Sequence, residues 1–271
     1  MRARRISLRS AGVAALAFVL VAGLGGWWFL QARQPDPETL RLVFPPKGAT
    51  VSRVTATLDW RSDYAPLNLE LYGEFDGILT LRTRSLDGDR AKLRAILDLS
   101  TFVLNDRPIT HPNSTHAGLE MRTDGRILSG GNLFFPGLRQ AFLVAATGLS
   151  PDLAARPVVP GDTWTDSLRI RVDTDLLHGD TRSELLRYED VGEVRAAVVH
   201  GTKDLTIKGG RPLPGTGSMK IDQTAWLDPE TGTILRMTAT VQVTYHSRPQ
   251  ARLGGRRILI EGMDRYELTA V

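Results

Sequence analysis

The sequence of 271 residues contains no cysteine. This excludes disulfide bonds, thiolate metal sites and a lipid attached through a cysteine, and it suits an exported protein, whose thiols would risk oxidation. Histidine is also scarce, and only His111 and His116 lie close together in the sequence. Two ligands from one loop do not make a metal site, which needs three or four. We therefore expect no metal and no other cofactor.

Catalytic motifs are missing as well. The sequence has no G-x-S-x-G, H-E-x-x-H or G-x4-G-K-[ST] motif. The glycine-rich stretch Gly215–Gly217 leads into a strand-like segment, so it provides no helix N-terminus for a phosphate. Carboxylate pairs such as Asp222 and Asp228 are expected on wet faces or in turns rather than as a buried pair. We expect a protein that is not an enzyme, because catalysis would require distant residues to converge in the fold.

Charged side chains are absent from residues 11–30. A helix of this length spans about 30 Å, which is the thickness of a bilayer core. The run ends in Trp27, Trp28 and Phe29, and large aromatic side chains favour the headgroup boundary and do not suit a signal-peptide cleavage site. We therefore predict an uncleaved transmembrane helix over 11–30. A cleaved signal peptide is the alternative.

The segments on either side of this run predict its orientation. Residues 1–10 contain four arginines and no acid, and positively charged flanks remain in the cytoplasm. Residues 31–40 contain Pro35 and Pro37 and no apolar period, which indicates a linker. Residues 41–271 should then form a domain outside the cytoplasm, in the cell envelope, attached to the cell membrane by a single span.

The remaining charge argues against one class of partner and suggests another. The formal charge of +4 belongs to the N-terminal flank, because residues 31–271 hold 30 basic and 30 acidic residues. A nucleic-acid-binding domain carries excess positive charge on its folded part, so we expect no nucleic-acid partner. Six basic residues nevertheless fall on the polar sides of predicted strands: Arg82, Arg84, Lys92, Arg94, Arg169 and Arg171. If the strands are neighbours, these residues form a basic face for anionic lipid headgroups or an acidic partner. The alternative is a solvated face balanced by nearby acids.

Apolar and polar residues alternate along most of residues 41–271, which is typical of antiparallel strands with one wet face. The clearest case is 235–246, where Leu, Met, Ala, Val and Tyr alternate with polar residues. Tight turns are predicted at Asp76-Gly77, Asp87-Gly88, Asp124-Gly125 and Gly179-Asp180, and a longer turn at 228–232. The predicted fold is mainly β, a curved antiparallel sheet or partial barrel of about ten to twelve strands.

One segment, residues 138–147, has an apolar helical pattern between Pro136 and Gly148. Its wide apolar stripe predicts a helix packed inside the curved sheet. Such an arrangement can leave an apolar cavity, and we take Leu138, Phe142 and Leu143 as candidate ligand-binding residues. Trp226 is out of phase with the apolar residues of its strand, so it is a fourth candidate at the rim. Trp60 is in phase with the core, and Trp164 is expected to hold the loop that precedes it.

Three strings in the sequence resemble those of bacterial envelope β domains: RPVVPGDTW at 156–164, GTGSM at 215–219 and TAWLDPETGTILRM at 224–237. The chain is similar, over about 40–271, to the half-barrel of lipoprotein-carrier and lipid-binding lipoprotein folds. The resemblance implies a strongly bent sheet that wraps around helices and holds acyl chains. We therefore expect a membrane-anchored domain that binds a lipid or another hydrophobic ligand. An interaction or envelope-assembly module with a filled core and a protein partner is the alternative.

Overall fold

The computed structural model describes residues 36–63, 69–109, 115–130, 150–172, 175–210, 214–249 and 257–271. Residues Glu38–Val271 form one compact unit. The described residues form twelve β-strands and contain no helix. The strands are β1 (Ala49–Ser62), β2 (Leu69–Asp87), β3 (Arg90–Leu104), β4 (Arg107–Pro108), β5 (Thr115–Arg122), β6 (Ile127–Gly130), β7 (Thr163–Val172), β8 (Asp175–Val191), β9 (Val194–Gly209), β10 (Gly215–Leu227), β11 (Ile234–Ser247) and β12 (Leu259–Ala270).

The sheet closes on itself. Its strand order is β2-β1-β12-β11-β10-β9-β8-β7-β6-β5-β3, and β2 also pairs with β3, so eleven strands form a ring with the short β4 beside β3. The mainly β class is confirmed, and the predicted partial barrel is in fact a closed barrel. Neighbouring strands are antiparallel except β6 and β7, which run parallel and share the pairs Ser129–Arg171 and Gly130–Val172.

Alternation along each strand places one set of side chains inside the barrel. On β11, Met237, Ala239 and Val241 are buried, whereas the residues between them are partly exposed. The larger core cluster joins inward residues of β1, β3 and β5–β12 with the segments 40–44 and 153–158. Burial of these apolar surfaces is what stabilises the closed sheet.

Two glycines that the sequence places in turns lie inside strands. Gly77 belongs to β2 and Gly179 to β8. A Cβ atom on Gly77 would lie 2.7 Å from the carbonyl oxygen of Asp98, and one on Gly179 would lie 2.0 Å from that of Asp204. These glycines therefore permit a close approach of neighbouring strands, which is a known role of glycine within a strand. The turns at Gly88 and Gly125 are confirmed, since both residues have positive φ.

Two chain segments enter the barrel alongside the strands. Glu38 and Val158 form an antiparallel bridge through two backbone hydrogen bonds of 3.0 and 2.9 Å. Leu40, at the end of the predicted linker, is fully buried, and Leu153 and Ala154 are buried as well. The barrel interior is thus filled in part by segments that lie outside the strands.

Both predicted helices, 11–30 and 138–147, lie outside the described residues. Within the described ranges, no helix meets the length and apolarity that crossing a membrane requires.

Candidate functional site

An apolar cavity lies inside the barrel at the end where β1 begins and where β2 turns into β3, which we call the cavity end. Its volume is about 100 Å³. The apolar side chains that line it from the strands are Val54, Leu79, Leu81, Ala95, Leu97, Leu119, Met121, Ile127, Ile234 and Leu268. The polar side chains in the lining are those of Thr50, Ser52 and Thr233. A pocket of this composition binds apolar groups, with few polar atoms to orient them.

The register of β2 and β3 creates part of this space. Leu79 faces Leu97 across the strand pair, and Leu81 faces Ala95. Because alanine is small, the position opposite Leu81 leaves room that a larger side chain would fill. Leu79 and Leu81 are only half-buried although they point inward. The open space is therefore next to β2.

Residues 42–44 form a strap across the cavity end. The amide of Leu42 donates to the carbonyl of Thr123 at 2.7 Å, and Leu42 and Phe44 are buried. Gly232 lies against the strap with a φ of 66°, and a Cβ there would come within 2.4 Å of the carbonyl oxygen of Arg41. Only glycine fits both conditions, so this turn residue lets the strap close over the cavity.

A polar layer crosses the interior on the side of β9 and β10. Lys203 Nζ lies 3.2 Å from Asp152 Oδ2, and it donates to the carbonyl of Ser150 at 2.7 Å. The side-chain amide of Gln223 donates to the same carbonyl at 3.1 Å. The Lys203 and Asp152 side chains are 2% and 6% exposed. Because a buried charge must be paired, this layer fixes the segment that begins at Ser150.

A buried carboxyl group lies on β12. Trp60 Nε1 donates to Asp264 Oδ1 at 2.6 Å, and the Tyr266 hydroxyl donates to Asp264 Oδ2 at 2.9 Å. Asp264 is 0% exposed, and this burial raises its pKa to about 7, against the opposing effect of the two hydrogen bonds. Burial also raises the pKa of Tyr266, and the carboxyl group beside it adds to the effect. The interior thus contains one carboxyl group that changes charge near neutral pH.

The outer surface carries a polar groove in two parts. Their volumes are about 720 Å³ and 590 Å³, and both parts are lined by Asp222 and Thr240. One row of outward residues crosses the groove from β7 to β2, and threonines alternate in it with charges of alternating sign. The row is Thr165, Arg182, Thr202, Asp222, Thr240, Arg265, Thr57 and Glu74. Hydroxyl and charged groups at regular spacing suit a polar partner. Among the described residues, no group of three could hold a metal ion.

Of the four candidate ligand-binding residues, the structure describes only Trp226. Leu138, Phe142 and Leu143 lie outside the described residues. Trp226 lies on the outer face of β10, where its indole N–H donates to Glu189 and the Arg236 guanidinium covers its ring at 5.2 Å. It does not line the cavity. Trp60 is inward as predicted, and Trp164 holds its loop by donating to the carbonyl of Asp152 at 3.1 Å.

Sequence reasoning missed the residues that line the cavity, although the signal was present. Alternation in 91–99 already places Ala95 and Leu97 on one face. Asp264 is in phase with Tyr266 and Leu268, which are both buried. Alternation alone predicts an inward carboxylate there, but the cost of burying a charge argues against such a reading.

No protein-family model and no curated protein matches this chain at a significant level. Among solved structures, the chain is similar to a hypothetical lipoprotein, YmcC, from Escherichia coli K12, at 14% sequence identity and a TM-score of 0.21. The similarity covers 77% of this chain and 85% of that one.

Proposed function

We propose that this protein is a membrane-anchored barrel outside the cytoplasm, and that it binds the apolar part of a small hydrophobic ligand or lipid in its cavity. The proposed role is binding rather than catalysis. The observation that supports it is the apolar cavity of about 100 Å³ inside a closed sheet. The uncharged run over 11–30 supports the anchor.

The cavity volume limits what can enter. An apolar cavity of about 150 Å³ in another protein stays dry and binds benzene. The space next to Leu81 and Ala95 is smaller, so it accepts a short apolar group rather than a whole acyl chain. A lipid would therefore insert one chain end, and the strap at 42–44 would lie over the entry.

Straight-chain alcohols of increasing length test this proposal on residues 38–271, which form a compact unit with their own core. Each methylene that enters the cavity contributes about 0.8 kcal/mol, or roughly fourfold in affinity. We expect the affinity, measured by calorimetry, to rise with chain length and then level off once the cavity is full. Affinity that does not depend on chain length would contradict the proposal.

A cavity-filling substitution locates the binding site. Ala95→Leu extends a side chain into the cavity, so it should weaken alcohol binding about tenfold or more without lowering stability. Ala197→Leu is the matched control, since Ala197 is fully buried and does not line the cavity. The control should destabilise the fold by overpacking and keep the affinity. Unchanged binding in Ala95→Leu would place the site elsewhere.

The outer groove favours a second candidate function, which is an interaction module with a protein partner in the envelope. Its alternating row of threonines and charges supports specific polar contacts. A photo-crosslinking side chain at Thr240, inside the groove, should capture a partner in cells of the native host. The same side chain at Thr206, which points outward from β9 and does not line the groove, is the control. Equal capture at both positions, or none at Thr240, would reject this function.

A further inference from the structure

The hairpin formed by β2 and β3 carries four cations on its outer face: Arg82, Arg84, Lys92 and Arg94. We call this set the basic hairpin. Arg82 lies directly opposite Arg94 in the register of the two strands. Among the described residues, none of the four forms an ion pair. The predicted basic face thus exists on these two strands, whereas Arg169 and Arg171 lie on β7, beyond β5 and β6.

Some surface arginines meet acids, as Arg53 meets Asp76 and Arg236 meets Glu267 at 3.0 Å. In the basic hairpin, two arginines instead lie opposite each other. The stretches 78–86 and 90–97 contain no acid, and the acid nearest in the register is Glu120 of β5, opposite Lys92. Like charges directly opposite each other across a strand pair are destabilising. The opposed arginines therefore favour an external anion that neutralises both.

Apolar side chains are exposed at the same end of the barrel. Leu86, near the turn of the hairpin, is 46% exposed, and Val43, on the strap, is 55% exposed. Val51 is 36% exposed and pairs with Thr80, two residues before Arg82. A surface that combines cations with exposed apolar side chains matches the boundary of an anionic bilayer, where headgroups meet acyl chains.

We infer that the cavity end of the barrel docks on an anionic membrane surface through the basic hairpin. Phospholipid headgroups bind the four cations, and Leu86 and Val43 reach toward the acyl boundary. A soluble acidic partner would match the cations and would leave the exposed apolar residues without a role. The inference does not depend on the proposed ligand, because the hairpin's outer face and its cavity-lining inner face are distinct surfaces.

Vesicle co-sedimentation of residues 38–271 tests the docking. We expect binding to vesicles that contain phosphatidylglycerol, little binding to pure phosphatidylcholine, and loss of binding at raised salt. The test variant carries Arg82→Gln, Arg84→Gln, Lys92→Gln and Arg94→Gln. Since each cation near an anionic surface contributes roughly fivefold to affinity, the variant should bind more than about a hundredfold more weakly.

A control variant with the same change in net charge carries Arg182→Gln, Lys208→Gln, Lys220→Gln and Arg265→Gln, all on the outer wall of β8–β12. It should lose little binding. Equal losses in the two variants would show a general charge effect and overturn the inference. Absence of wild-type binding to the anionic vesicles, or equal binding to soluble polyglutamate, would also overturn it. The alcohol series above is independent of these outcomes, so either conclusion can fail alone.

Discussion

The two sides of the barrel interior are filled to different degrees. On β8, β9 and β10, the inward residues Leu185, Leu205 and Met219 are at most 1% exposed. On β2, the inward residues Leu79 and Leu81 are only half-buried. The side of β8–β10, which we call the filled side, is held against the segment at Ser150 by Lys203 and Gln223. The side of β2 faces the cavity. A closed sheet therefore does not fill its own interior, and an inserted segment decides which side is filled.

Removing the buried cation Lys203, on the side of β8–β10, should have one of the two largest effects on stability. Lys203→Met leaves Asp152 buried without its partner, which we expect to cost about 3–5 kcal/mol of unfolding free energy. Urea denaturation measures the loss. On the outer surface, Arg53→Met breaks the exposed pair with Asp76 and should change the midpoint little. Similar losses in the two variants would mean that the inner layer does not anchor the segment.

A pair of leucine truncations compares the two sides directly. Leu205→Ala removes a fully buried side chain from the filled side and should cost about 3–5 kcal/mol. Leu81→Ala truncates a half-buried side chain that already lines a cavity, so it should cost less than about 2 kcal/mol. Chemical denaturation of both variants gives the difference. Equal costs would contradict the unequal filling.

Between the two sides, Asp264 should make stability depend on pH. Its pKa is raised to about 7, above the ordinary value of 3.8, so the folded state holds its proton where the unfolded state has lost it. The carboxyl group therefore stabilises the fold less as pH rises, and about 1.4 kcal/mol should be lost between pH 6 and pH 8. Asp264→Asn should remove this loss when the two proteins are unfolded at both pH values. A variant with the same pH dependence as the wild type would assign the effect to other groups.

The smallest effect is expected at Trp226. Its ring lies outside the barrel under Arg236, and its N–H donates to Glu189. Trp226→Phe keeps an aromatic ring and removes the donor, so alcohol affinity measured by calorimetry should not change. A clear fall in affinity would instead support Trp226 as a ligand-binding residue.

The sequence allowed the strands to be predicted, but not their closure. Alternation with period 2 reveals inward and outward residues, and it correctly places Trp60 inside. Closure depends on the pairing of β2 with both β1 and β3, and on glycines such as Gly77 that allow strands to approach closely. In the sequence, the same Asp-Gly pair is typical of a turn. Local patterns do not distinguish these two roles, because the difference lies in the neighbouring strand.

The cavity could be predicted even less well. Its volume depends on the residues that face each other across strands, such as Leu81 and Ala95. A shift of one residue in the register of either strand would point its side chain outward. The sequence predicted an apolar interior and a basic face, whereas the position of the empty space follows from the three-dimensional pairing.

The ring of strands has a consequence that follows from counting. Strands that alternate in direction around a closed ring must be even in number, and this ring has eleven. An odd ring must contain a parallel joint, and here that joint is β6–β7, which shares two residue pairs within the described part of the chain. By comparison, β7 and β8 share ten pairs, and β1 and β12 share eleven. Parity thus places a seam in the wall at β6–β7, which among the described residues shares fewer pairs than any other joint of the ring.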